Sequence, residues 1–146
     1  DHELKGVTPE MLDWWWGTIT STERYKLWHP TAHKLFEWES GLIFRQEEEI
    51  GGARIKTRVR PEPSNAIPVV TTYSHVFAIS VLDDKDKPYS WIVHEYEAMP
   101  NGTRVRSTFR LPAGVPQWFI ESLRKHSQEE MLILAKVLPE LYEKEK

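Results

Sequence analysis

A histidine and a glutamate one helical turn apart form the most chemically suggestive pair in this chain. Phe119, Leu123, His126, Glu130, Leu134, Val137 and Leu141 follow one another at steps of three or four, so they share one stripe of a helix. Most of that stripe is apolar and faces a core, which points His126 and Glu130 inward. A buried carboxylate needs a cation, a proton or several donors. An imidazole and a carboxylate at i, i+4 can share one divalent ion, as helix-borne ligand pairs do. The same spacing recurs at His33 and Glu37, and a chain with six His produces such pairs by chance. The apolar setting is what distinguishes His126–Glu130.

Further donors lie upstream. His29 and His33 flank the segment after a short helix. In Phe44-Arg-Gln-Glu47-Glu48-Glu49-Ile50, period-two alternation puts Phe44, Gln46, Glu48 and Ile50 on one face. If Phe44 and Ile50 face the core, so does Glu48, while Glu47 and Glu49 face water. The competing reading makes all three an acidic edge opposite the basic strand across the hairpin.

The elements that must position these residues are legible from capping and turn signals. Thr8, Pro9 and Glu10 open a first helix that Gly17 stops, and Thr20-x-x-Glu23 reads as a capping box for a second, Arg24 to Trp28. Trp14, Trp15 and Trp16 cannot all point one way. Strands are expected over Leu42–Ile50 and Ala53–Arg60 around the hairpin signal Gly51-Gly52. Others are expected over Val69–Leu82, Tyr89–Met99 and Thr103–Leu111, and then a long helix from about Gln117 to Tyr142 with a frayed tail, Glu143 to Lys146. This order predicts an α+β fold whose sheet wraps the last helix and encloses a cavity suited to an apolar ligand.

Composition narrows the functional classes. The 146 residues match one domain, 1–146, and 40% of them are apolar. Seven Trp, five Tyr and five Phe suit either a bulky core or a pocket for a flat ring. The net charge of −3 argues against nucleic acid as a partner, and Arg54, Lys56, Arg58 and Arg60 alternate with apolar residues as the wet face of a strand. The chain has no Cys, hence no disulfide framework, which fits a reducing compartment, and a cytoplasmic location is expected. No membrane segment is expected, and Asp1-His2-Glu3 does not read as a signal peptide. The chain does not begin with Met, so a preceding piece is left open.

Several motifs together resemble one family. Gly6-Val-Thr-Pro-Glu-Met-Leu-Asp-Trp-Trp-Trp-Gly17, Arg24-Tyr-Lys-Leu-Trp-His-Pro-x-x-His33 and Phe36-Glu-Trp38 are similar to the opening of the catalytic domain of 2,4-diacetylphloroglucinol hydrolases, with phloretin hydrolase as a relative. The resemblance continues through Ile50-Gly51-Gly52, His94, Gly102 to Phe109, His126 to Ala135 and Leu138 to Tyr142. It implies a START-like, helix-grip domain and a zinc ion held by two His and two Glu. By motif these are His33, Glu48, His126 and Glu130, with Glu47 or Glu49 as the alternative to Glu48. It also implies that Tyr25 contacts the substrate and that His94 lies beside it, though a strand His in a polar edge is the competing reading for His94. The chain departs from the family at Arg106-Ser107-Thr108-Phe109-Arg110 and in a shorter segment between Ser107 and His126, which leaves the substrate open.

The resulting expectation is a zinc-dependent hydrolase that cleaves the carbon–carbon bond between an acyl group and a phenolic ring. His33, Glu48, His126 and Glu130 are the metal ligands, and Tyr25 and His94 bind phenolic oxygens or move the proton. Its partner would be a small aromatic or polyketide-like substrate, and a homodimer is compatible with the sequence. The alternatives on the same fold are a polyketide-type cyclase or isomerase and a non-catalytic binding protein.

Overall fold

Seven strands pair antiparallel throughout one sheet in the computed structural model, which describes residues 1–146. In chain order the elements are β1 (His2–Lys5), α1 (Pro9–Thr18), α2 (Thr22–Trp28), β2 (His33–Ser40), β3 (Ile43–Ile50), β4 (Ala53–Glu62), β5 (His75–Leu82), β6 (Pro88–Met99), β7 (Gly102–Arg110) and α3 (Gln117–Glu145). The sheet order is β1-β7-β6-β5-β4-β3-β2. Strands β2 to β7 thus form a meander, while α1 and α2 carry the chain from one edge, β1, to the other, β2. The long helix α3 packs across the inner face. This is the α+β arrangement that the element order predicts, a sheet wrapped around the last helix, and it is consistent with the helix grip that the resemblance implies.

Local chemistry explains the boundaries. Thr8 caps α1, its hydroxyl accepting from the Met11 N–H, and Pro9 begins the first turn. The cap of α2 is Ser21, not Thr20: the Ser21 hydroxyl accepts from the Arg24 N–H at 3.3 Å, which places Arg24 where a capping box needs an acid. Gly51 and Gly52 both take positive φ, 60° and 83°, as a two-residue turn between right-twisted strands requires.

Three further expectations need correction, and two strands were not foreseen. Strands β1 and β2 carried no clear period-two signal. Strand β5 begins at His75 rather than Val69, because its ladder to β6 starts at His75–Tyr96 and Val70 is exposed. Helix α3 continues to Glu145 rather than fraying after Tyr142. Its buried stripe runs Leu123, His126, Glu130, Leu134 and Leu138, so the last turn turns Leu138 inward rather than Val137.

The core gathers Leu4, Val7, Leu12, Trp15, Tyr96 and Val105 against Met131, Leu134 and Leu138 of α3. The three tryptophans divide the surroundings of α1. Trp14 meets Tyr142 near the end of α3, Trp15 is fully buried against Trp28, and Trp16 stacks on Phe77 with its indole N–H donating to the Tyr96 hydroxyl. On β4 the basic residues are paired as a wet face: Arg54 with Glu47, Arg58 with Glu39 and Asp86, and Arg60 with Glu62. No helix is long and apolar enough to cross a membrane.

Candidate metal centre

The structure brings His33, Glu48, His126 and Glu130 together, one donor atom from each lying within 4.8 Å of the others. They arrive by three different local rules. His126 and Glu130 come from the inner stripe of α3. Glu48 comes from β3, where Gln46, Glu48 and Ile50 turn inward, Glu47 pairs outward with Arg54, and Glu49 is exposed. His33 comes from the first residue of β2, opposite Glu48.

A bulge places His33. Between His33 and Leu35 strand β2 advances two residues while its partner advances one, so Lys34 is extra. The shift lets both His33 and Phe36 face inward. It also sends Glu37 outward to Arg45, so the second His-x-x-x-Glu spacing forms no pair.

Hydrogen bonds set the donor tautomer of His33. Its Nδ1–H donates to the Tyr25 carbonyl at 2.8 Å, which leaves Nε2 as a lone pair aimed at the cluster. That Nε2 lies 3.3 Å from His126 Nε2, 2.9 Å from Glu130 Oε2 and 3.6 Å from Glu48 Oε2. His126 Nε2 lies 3.2 Å from Glu48 Oε2 and 3.3 Å from Glu130 Oε2. A tetrahedral site with metal–ligand bonds of about 2.0–2.1 Å needs donor separations of about 3.3–3.4 Å. The observed separations bracket that requirement. Two carboxylates and two imidazoles also match the charge and ligand preference of a first-row divalent ion.

Without a cation these groups are held together by a proton on His126. Burial opposes charge on His126, but Glu130 and then Glu48 outweigh it and hold the imidazolium up to about 10. Burial likewise opposes ionisation of Glu130, yet His126 and His33 hold it well below the usual carboxylate range. A divalent ion would take over the role of that proton.

Tyr25 stacks on the His33 ring at 3.8 Å between centroids, and its hydroxyl donates to Glu48 Oε2 at 3.0 Å. Burial, then the Glu48 and Glu130 charges, raise its pKa well above that of free tyrosine, so the phenol stays protonated. His29 does not join the four. Its Nδ1 accepts from the Ala32 N–H, which leaves Nε2–H to face Glu129 at 3.0 Å, and the ring stacks against His126.

Glu48, His126 and Glu130 line a narrow waist, about 50 Å³, in the space between sheet and helix. A lobe of about 230 Å³ walled by Trp16, Trp28, Phe36, Phe44 and Phe77 shares Tyr25, Trp28, Gln46, Phe77 and Ile79 with it. A second lobe, about 170 Å³ and lined by Ile55, Val81, Leu111, Val115 and Phe119 among others, shares Gln46, Glu48, Ile92, Phe109 and Leu123 with the waist. A larger hollow of about 490 Å³ lies against Asp1 and His2 and touches none of the four residues.

His94 lines the waist rather than a polar edge. It is buried on β6, stacks on Trp16, and shares a 2.7 Å hydrogen bond between Nδ1 and the Ser107 hydroxyl. Burial pushes its pKa down to about 4, with Glu130 opposing, so the ring is neutral near pH 7. Sequence reasoning turned Gln46 inward but attached no role to it, and Gln46 lines the waist and both lobes. The cue was available: an amide on a stripe otherwise apolar except for Glu48.

Comparison with known proteins agrees with the resemblance read from the motifs. Residues 1–49 match the family described as DAPG hydrolase PhiG domain, a stretch that contains Tyr25, His33 and Glu48. Phloretin hydrolase from Eubacterium ramulus is 53% identical over 32 residues. That alignment covers 20% of this chain and 12% of the relative, so the chain matches only a small part of that protein's length.

Proposed function

We propose that the chain hydrolyses the carbon–carbon bond between an acyl group and a phloroglucinol-like phenolic ring, using a divalent ion, zinc in first place, held by His33, Glu48, His126 and Glu130. The observation that carries this reading is the set of four converging donors, three of which line a waist beside an aromatic-walled lobe. The match of residues 1–49 to a family of hydrolases supports it.

The chemistry sets the demands on the site. An aryl carbanion is a poor leaving group, so the acyl-bearing ring carbon must first gain a proton and the ring a ketone. Water then adds to the acyl carbonyl, the bond breaks, and the ring departs as a stabilised enolate that recovers its aromaticity. Water is consumed, and a carboxylic acid and the free phenol are released. When bound, the ion supplies polarisation of the carbonyl and a lowered pKa for water.

The protein's own groups do the rest. Trp16, Phe36, Phe44 and Phe77 offer flat faces for the ring and exclude bulk water. Neutral His94, tethered to Ser107 through Nδ1, has Nε2 left to accept a phenolic proton and return it to the ring carbon. Tyr25 holds Glu48 in place while its hydroxyl oxygen can accept from a phenol.

The test is product release. Metal-loaded protein is expected to liberate free acid and ring phenol from an acylphloroglucinol, to lose this activity on chelation, and to regain it on adding zinc. The fully O-methylated analogue is expected to resist cleavage, because it cannot ketonise. If a panel of acylated di- and trihydroxybenzenes yields no acid from metal-loaded protein, the hydrolase reading fails, leaving cyclisation or simple binding.

A further inference from the structure

Among the polar groups that the proposed chemistry does not use, two stand side by side on the inner wall. Gln46 of β3 and Thr57 of β4 are direct cross-strand partners. Gln46 is only 7% exposed, and its carboxamide, engaged by none of the protein's own hydrogen bonds, is not sealed off but borders the waist and both lobes. The Thr57 hydroxyl is buried and likewise has no partner. Both line the lobe beside the cluster, and Gln46 sits two residues before Glu48 on the same face.

Such an arrangement weakens a protein that does not use it. A buried polar group without a partner loses its water and gains nothing in return, so native structures leave few of them. Leucine at 46 or valine at 57 would fit the surrounding apolar wall, which includes Ile55, Val59, Val81 and Ile92. Cross-strand neighbours have Cβ atoms roughly 5 Å apart, a separation that two hydroxyls meta to one another on a ring can span. The amide both donates and accepts, as does the hydroxyl, so the pair suits partners that do the same. Phenolic hydroxyls are such partners.

We infer that Gln46 forms a recognition ledge, completed by Thr57 once its hydroxyl turns about χ1 from its covered position toward the lobe, that binds ring hydroxyls of the phenolic substrate and so selects polyhydroxylated rings over rings lacking them. This rests on the function proposed above and specifies what the site reads. Sites built to hydrogen-bond a hydroxyl discriminate strongly against ligands that lack it, because their own polar groups are then left unpaired.

The experiment measures binding rather than turnover. Calorimetry on metal-free protein compares an acetylated trihydroxybenzene with its tri-O-methyl ether, for wild type, Gln46→Leu and Thr57→Val. Gln46→Leu is expected to weaken binding of the hydroxylated ketone about tenfold or more, the worth of one good hydrogen bond. Thr57→Val is expected to act in the same direction, and neither variant is expected to weaken binding of the ether. Both variants are also expected to melt no lower than the wild type, since Thr57→Val removes an unpaired buried hydroxyl and Gln46→Leu an amide that bonds to nothing in the protein. A purely structural role for Gln46 predicts the opposite, a lower melting temperature with no preference between the two ligands, and that result overturns the ledge. Equal affinity of wild type and both variants for the hydroxylated ketone also overturns it while leaving the hydrolase reading intact. If the wild type binds neither compound, with metal or without, both readings fall.

Discussion

Three consecutive glutamates, 47 to 49, share a residue type and differ in direction. Alternation along β3 selects Glu48 for the interior, and the hairpin gives Glu47 an arginine partner outside. Glu48→Gln is therefore expected to weaken metal binding by more than about 100-fold, beyond the roughly 10–100-fold typical of outer partners. Glu47→Gln and Glu49→Gln are expected to leave it nearly unchanged, as chelator competition would show. Equal effects at all three positions would mean the register is wrong. Tyr25→Phe tests a subtler role. Losing the hydroxyl that holds Glu48 is expected to reduce metal affinity about tenfold, a change that a residue touching only substrate would not cause. At this scale the sequence revealed which residues mattered more readily than how they meet. Spacing placed His126 beside Glu130 and turned Glu48 inward, whereas the His33 tautomer and the Tyr25–Glu48 bond depend on contacts between distant segments.

The elements were legible where one periodicity dominated. Strands β3, β4, β6 and β7 and the helix α3 alternate or repeat cleanly and have turn residues at their ends. Strand β2 is different: the bulge at Lys34 breaks its period just where it delivers His33, so the pattern was lost at the functional position. Strand β1 has only four residues and pairs with β7 at the far end of the chain, a non-local partner that no window of sequence contains. The cap of α2 was misplaced by one residue, because Thr20 and Ser21 are both good caps and only the backbone separates them. Ser21→Ala is expected to cost about 1 kcal/mol of stability in denaturant unfolding, against a few tenths for Thr20→Ala. The reverse order would restore the capping box at Thr20.

For the molecule as a whole, the buried polar groups gathered between sheet and helix tie stability to pH and metal. His94 has a pKa of about 4 when folded against about 6.5 when free. Between those values the unfolded chain takes up a proton that the folded chain refuses. Its contribution is therefore fully present above pH 6.5 and declines as pH falls toward 4, by up to about 3 kcal/mol. His94→Asn is expected to flatten that acid decline in urea midpoints measured at pH 7 and pH 4.5, and an unchanged decline would place the acid sensitivity elsewhere. Metal acts oppositely: an ion that binds only the folded state raises the melting temperature with its concentration.

The central claim is that four side chains from three elements hold one divalent ion. Elemental analysis of chain equilibrated with zinc and then freed of excess tests it most directly, with His126→Ala alongside. The account predicts close to one equivalent per chain for the wild type and a small fraction of that for the variant, with the variant still folded by circular dichroism. Wild-type protein without stoichiometric zinc, or a folded His126→Ala protein that retains a full equivalent, would contradict it.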